Sequence, residues 1–227
     1  MWAESTLCDH VWAVSTLESK FPTKRSYHHG DLRNALIDAA VAAARQHGPS
    51  AVLLRDIARQ VGVSHNAGYR HFASQADLLT AVAQRGLAEL AANMQKGLDA
   101  APKRRDPRQR ARRRLRAIGR AYVEFAVAEP GLFRTIWAAA AYPATAADPD
   151  HSMAPTSDPY LLLNAVLDEL VAAGAIPASR RPYSETVAWS AVHGLATLLI
   201  DGPLAGMPPT ELEQALNRLC DVLDAGL

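Results

Sequence analysis

The sequence is poor in the groups that most catalytic and metal chemistries require. It holds two cysteines in 227 residues, Cys8 and Cys220, too far apart along the chain for a metal knuckle or a redox pair. Reduced thiols in a cytoplasmic protein are the expected state. No apolar run approaches the roughly 20 residues that a membrane span needs. The first twenty residues lack a basic head followed by an apolar stretch, which argues against a signal peptide. Nucleophile–base pairs, metal-ligand spacing and a glycine-rich phosphate loop are all missing, so neither an enzyme nor a bound cofactor or metal is expected. Strand-type alternation is also missing. What recurs is apolar spacing of three and four, the signature of an all-α chain.

What is present is ample material for a core and an uneven distribution of charge. Apolar residues make up 49% of the sequence, enough to exclude a disordered chain. The formal net charge of +1 hides an asymmetry. Lys20 to Gln75 carry eight Lys/Arg against three Asp, a balance of +5. Lys103 to Arg120 carry ten against one, a balance of +9, and from Ala121 onward four Arg face thirteen acids, a balance of −9. A basic front and an acidic back suggest that one part of the chain faces a polyanion. Three segments are expected: an N-terminal arm over 1–22, a DNA-binding unit over 23–82 and a helical unit over 83–227. The arm is read as flexible, or as a stretch upstream of the true start.

Cap and stop signals outline the helices. The first is expected from Asp31 to His47, stopped by Gly48 and Pro49, and a second begins near Leu54 and breaks at Gly62. Ser64 can cap a short third helix through Phe72, and Ser74 with Asp77 resembles a capping box for a fourth. Asp106-Pro107 and Asp158-Pro159 are helix starts, and Pro130 and Gly174 are stops. The stretch from Ala138 to Ser157 reads as a long loop. The segment Ser184–Ile200 is apolar on two sides and must be buried on two sides. Thr210 and Glu213 have capping-box spacing for the last helix.

The segment Leu54–Phe72, LRDIARQVGVSHNAGYRHF, has the spacing of a helix-turn-helix. Ala58 is small where one helix crosses the next, Gly62 permits the sharp turn, and Ile57, Val63 and Phe72 lock the pair. The second helix can then enter a major groove, where base edges present a distinct pattern of donors and acceptors. His65 and Asn66 open that helix, and Asn can pair bidentately with adenine; the plainer reading leaves both solvated. Lys24, Arg25, Tyr27 and His28 precede the first helix and can follow the phosphate backbone. His28-His29 has no further ligand at metal spacing.

Tyr27 to Val82 resembles the DNA-binding domain of the TetR family of bacterial regulators. The resemblance is carried by Ala39-Ala40, Ile57-Ala58, Gly62-Val63-Ser64, Tyr69-x-His71-Phe72, and Ser74 followed by Asp77-Leu78-Leu79. The run from His28 to Arg33, Pro130 to Phe133, and Trp189, His193 and Gly194 resemble a subgroup named for a Trp-His-Gly signature. The resemblance implies an N-terminal three-helix reader and a C-terminal ligand-binding and dimerisation bundle. It also implies a homodimer on a palindromic operator in double-stranded DNA, and repression relieved by a small-molecule effector. By resemblance Tyr69 and His71 hold phosphates, against a plainer role packing between helices. Ser64 and Arg70 belong to the same stretch. Arg55 matches a position near the groove, against an ion pair with Asp56 or Asp38. Gln75, Leu53-Leu54 and Gly68 depart from the family pattern and suggest a looser reader.

Trp189 and His193 lie one turn apart and can line a ligand cavity with Tyr122, Phe125, Phe133 or Trp137; core or dimer packing is the alternative. The Lys103–Arg120 run has only Asp106 nearby to pair with, so it is read as a solvated helix start or a contact to flanking DNA. The helices Asp158–Gly174 and Ser184–Ile200 are expected to pair with their symmetry mates. The rival reading is a ligand-independent DNA-binding or protein-interaction module.

Overall fold

The computed structural model describes residues 29–102, 104–141 and 158–226, which form nine α-helices and no strand. They are α1 (His29–His47), α2 (Leu54–Val61), α3 (His65–Tyr69), α4 (Gln75–Ala100), α5 (Pro107–Ala128), α6 (Pro130–Ala141), α7 (Asp158–Ala172), α8 (Ser184–Ile200) and α9 (Pro209–Gly226).

Three of the expected helix starts and stops are built as the residues suggest. Ser74 Oγ accepts from the Asp77 amide at 3.1 Å, and the Asp77 carboxylate accepts from the Ser74 amide at 3.0 Å, closing a reciprocal box at the head of α4. Asp106 accepts from the Arg108 amide at 3.0 Å, and Pro107 opens α5 where no donor is needed. Gly62 ends α2 at φ 81°, with its amide on Arg59 O and that of Val63 on Ala58 O. That pattern needs a left-handed residue, which glycine adopts without steric cost.

Four points differ from expectation. Helix α3 ends at Tyr69 rather than Phe72, because Gly68 O is shared by the amides of His71 and Phe72 and the last turn tightens. Pro130 does not merely stop α5: it opens α6, whose Leu132, Phe133 and Ile136 are fully buried. Thr210 and Glu213 form no reciprocal cap. Helix α9 starts at Pro209, with Pro208 O accepting from Glu211 and Leu212, and Glu213 is held by Arg120 instead. The loop expected over 138–157 is helical as far as Ala141, and residues 142–157 lie outside the described part.

Helix α4 is the spine. At 26 residues it extends about 39 Å, given 1.5 Å per residue. It packs on α1 and also on α5, α6 and α7. The expected boundary at 82/83 falls inside it. Helix α5 runs back antiparallel: Asn93 donates to Ala121 O at 2.8 Å, and Gly97 faces Ala117 O. The N-terminal end of α5 therefore sits at the end of α4 farthest from α3.

That geometry resolves the basic run. Arg116 binds Asp224 and, at 2.7 Å, Asp221, while Arg120 binds Glu213 and Asn217. Arg114 lies 2.8 Å from Glu169 of α7. The expectation that the run has only Asp106 to pair with is thus corrected: Arg114, Arg116 and Arg120 find acids on α7 and α9, far along the sequence. Arg104, Arg105, Arg110 and Arg113 stay exposed at the end of the bundle remote from the reader.

Candidate functional site

The reader is built from the underside of α3 outward. Gly68 is buried against α2: a Cβ there would stand 3.3 Å from Leu54 Cδ1 and 3.4 Å from Ala58 Cβ. The glycine that reads in sequence as a weak point is thus the place where the two helices cross. Leu54, a departure from the family pattern, is a core residue beneath it, 1% exposed. Leu53 caps α2 without any side-chain bond, so that helix end does lack the missing hydroxyl. Ser64 caps α3 by accepting from the Ala67 amide at 3.2 Å.

This packing turns the other face outward. His65, Asn66, Tyr69 and Arg70 are exposed, and the His65 and Tyr69 rings, one turn apart, meet at a tilt of 51° with centroids 4.5 Å apart. His71 is half-buried beside Phe72, which is sealed in the core. Arg33 of α1 sits over the Phe72 ring at 5.1 Å, a contact no local pattern announces. Arg55 is exposed and 3.6 Å from Asp56, while Arg59 holds that carboxylate at 3.0 Å and Asp38 goes to Arg85. Gln75 is exposed at the first turn of α4. Lys24, Arg25, Tyr27 and His28 lie outside the described residues.

Of the six candidate ligand residues, five come together. Tyr122 from α5, Phe133 and Trp137 from α6, and Trp189 and His193 from α8 form one cluster with ring centroids 4.9–6.4 Å apart. Tyr160 of α7 touches Trp189 at 6.1 Å and was not anticipated. Phe125 lies apart, in a surface groove between α4 and α5 beside Asn93 and Glu129.

One hydrogen bond ties the cluster: Tyr122 Oη and His193 Nδ1 are 2.9 Å apart. Burial raises the Tyr122 pKa and lowers that of His193, so both stay neutral. Which of the two donates is set by the imidazole tautomer, since a neutral phenol can either donate to Nδ1 or accept from Nδ1–H. Trp137 Nε1 is buried without an acceptor among the described residues. The same residues include no group of three or more His, Cys, Asp or Glu that could hold a metal, and no helix long and apolar enough to cross a membrane.

Tyr122 and Trp189 also line an apolar pocket between α5, α7, α8 and α9, together with Leu163, Val192, Cys220 and Asp224. Its cavity volume is about 30 Å³, so the walls nearly meet. No sequence signal pointed to Asp224, which stands 108 positions from Arg116.

Two short crossed helices with a polar outward face, carried on a helical bundle with an aromatic interior, define a helix-turn-helix regulator with a separate C-terminal domain. A family model described as "Bacterial regulatory proteins, tetR family" matches residues 36–82, and one described as "Tetracyclin repressor-like, C-terminal domain" matches 115–223. The chain belongs to the TetR family of DNA-binding transcriptional regulators. A protein of unknown function from Rhodococcus sp. RHA1 is 29% identical, covering 90% of this chain and 99% of its own, with a TM-score of 0.65. A TetR family transcription regulator from Marinobacter aquaeolei VT8 is 23% identical over 83% of this chain and 93% of its own, TM-score 0.60. FadR from Bacillus subtilis, solved with stearoyl-CoA, shares the fold at 14% identity over 86% of this chain and 98% of its own, TM-score 0.58. No curated protein matches.

Proposed function

We propose that this regulator is a homodimeric repressor that a small molecule releases from a palindromic operator. The observation that carries the reading is the two-sided construction of α3, sealed against α2 through Gly68 while His65, Asn66, Tyr69 and Arg70 face solvent. In this assignment His65 and Asn66 read base edges, and Ser64, Tyr69, Arg70, His71 and Arg55 position the reader on phosphates. Residues 23–82 serve as the DNA-binding unit, and 83–227 as the unit that senses and dimerises, and the chain is assigned to the Trp-His-Gly subgroup. One five-residue helix reaches too few base pairs alone, so a two-fold assembly suits a site with half-sites roughly 34 Å apart or more.

The effector site is assigned to the aromatic cluster and the pocket beside it. A physical route joins it to the reader. Helix α6 carries Phe133 and Trp137 and also packs on the end of α1, where Gly131 meets the Ala44 and Arg45 carbonyls and Arg45 binds Glu89 and, at 3.3 Å, Glu129. A ligand releases DNA only if it binds better to an arrangement in which the two readers no longer match the half-sites. In FadR the same fold holds stearoyl-CoA.

The test is selection of bound sequences from random duplexes, followed by a footprint on the promoter of the chain's own gene. A two-fold symmetric consensus protected in the footprint is expected. Binding without sequence preference would favour a packaging module instead.

A further inference from the structure

The first turns of α5 and the residues before it carry charge that the fold does not use. Residues 104–113 hold six arginines and one acid, Asp106, whose carboxylate accepts from the Arg108 amide at 3.0 Å. All six arginines are exposed. Arg108 and Arg112 reach the Ala173 and Ala175 carbonyls after α7, at 3.3 and 3.4 Å. Arg104, Arg105, Arg110 and Arg113 make no side-chain hydrogen bond or ion pair among the described residues. Guanidinium groups one turn apart, as in Arg108 with Arg112 and Arg110 with Arg113, repel each other, and cations oppose the backbone dipole at this end of a helix. The arrangement weakens α5 locally, and an anion brought against it would relieve the repulsion.

The kind of anion follows from the residue types. The planar fork of arginine matches the oxygens of a phosphate. Residues 104–113 include no aromatic ring on which an unpaired base could stack, and no large apolar side chain to enter a membrane or anchor a protein partner. A second copy of the chain has few carboxylates to offer, since Asp168, Glu169, Asp201, Glu213 and Asp221 already bind arginines. What fits is an array of phosphates met by charge alone. The duplex held by α3 does not supply it. The patch lies at the far end of α4, about 39 Å along, and DNA stiff over about 150 base pairs does not fold back within that span unaided. We infer that this patch holds the phosphate backbone of a second DNA duplex, without regard to sequence, so that one assembly joins two DNA segments. The inference goes beyond the operator reading and needs neither a base contact nor a ligand.

The test uses the full chain with its reader disabled by His65→Ala, Asn66→Ala, Tyr69→Ala and Arg70→Ala, all at exposed positions. A fluorescent duplex of mixed sequence is titrated by anisotropy at several salt concentrations, and binding should persist. Adding Arg104→Gln, Arg105→Gln, Arg110→Gln and Arg113→Gln should weaken it at least about tenfold. The slope of log K against log salt should flatten by about 3.6, or about 0.9 for each of four phosphates released. Arg110→Gln with Arg113→Gln alone should give about half that change, which keeps the test valid if the fourfold variant fails to fold. Arg134→Gln with Arg218→Gln, on α6 and α9, removes as much charge as that pair and should leave the slope nearly unchanged. With the reader intact, the chain should carry a labelled duplex onto a bead-bound one, and the fourfold variant should not. A reader-disabled chain that binds no duplex, a slope indifferent to the four arginines, or bridging that survives their loss would overturn the inference. So would stronger competition from phosphatidylserine vesicles or polyglutamate than from unlabelled duplex, which would assign the patch to a membrane or an acidic protein. The first measurement proceeds without the reader, so its outcome stands apart from that of the operator test.

Discussion

Reader and bundle come close together at Gly131, at the head of α6. A Cβ there would stand about 2.5 Å from the Arg45 carbonyl oxygen and closer still to that of Ala44. Both obstacles are backbone and cannot swing aside, so Gly131→Ala must push α6 off α1. A cost of about 1–3 kcal/mol is expected, as for other overpacked cores, and thermal denaturation should show the midpoint falling by several degrees. At Gly68 the nearest obstacle is the tip of the Leu54 side chain, which can yield, and alanine recovers about 1 kcal/mol of helix propensity. Gly68→Ala should therefore lie near neutral; a midpoint as low as that of Gly131→Ala would show that α2 and α3 cannot separate at all. His193 makes a different residue-scale prediction. Burial depresses its pKa in the folded chain, and its cluster neighbours Tyr122, Phe133, Trp137 and Trp189 offer no charge to offset this. The unfolded ring, titrating near ~6.5, takes up its proton first. This contribution to stability is complete above that pH and is lost as the pH falls toward the folded pKa. His193→Asn should flatten the decline of the melting temperature below about pH 6.5, and an unaltered decline would assign it to other groups.

At the scale of elements, α9 is held to α5 by two arginines, and their surroundings set their weights. Arg116 grips Asp224, whose side chain is only 13% exposed, whereas Glu213 under Arg120 is 52% exposed. Removing Arg116 strands a mostly buried carboxylate. Arg116→Met should cost more than an exposed pair and less than a fully buried one, about 1–3 kcal/mol, while Arg120→Met should cost at most about 1. Urea denaturation of the two variants tests the order, and equal losses would refute it. The same pairs explain what could be read in the sequence. Helices whose ends rest on neighbouring residues were legible: the Ser74–Asp77 box, Asp106-Pro107 and Gly62 all lie within a few positions of what they organise. The arginine run was misread because its acids sit on α7 and α9, and charge bookkeeping along a chain cannot register a helix that folds back. Helix α6 was missed because a proline that ends one helix can equally begin the next, and only the buried Leu132, Phe133 and Ile136 behind it distinguish the two. The site divides in the same way. The exposed residues of α3 follow from its period, as do Trp189 and His193 one turn apart. Asp224, Tyr160 and the Tyr122–His193 bond depend on packing between helices that no spacing rule connects.

At the scale of the whole molecule, the bundle leaves apolar side chains uncovered on the two helices expected to meet their symmetry mates. Leu161 on α7 is 51% exposed, and Val187 and Leu198 on α8 are 53% and 42%. Between the latter two, at spacings of three and four, lie Ala191 and Gly194, and a Cβ at Gly194 would meet nothing within 4 Å. A stripe with large residues at both ends and small ones between lets a second helix approach closely, and burying it would remove two large side chains per protomer from water. If α8 pairs with its mate there, a carboxylate in the stripe must be desolvated twice, once from each protomer, with no cation to meet it. Val187→Glu and Leu198→Glu should therefore shift the mass in light scattering from the dimer toward the 24.4 kDa protomer. Since both side chains are about half exposed in the protomer, helical content should be unchanged. Operator affinity should fall steeply, because a lone reader holds one half-site, while binding to an isolated half-site should stay as it was. A dimer that survives both substitutions would place the two-fold axis on another face, and the spacing between the two α3 helices would have to be derived from that face instead.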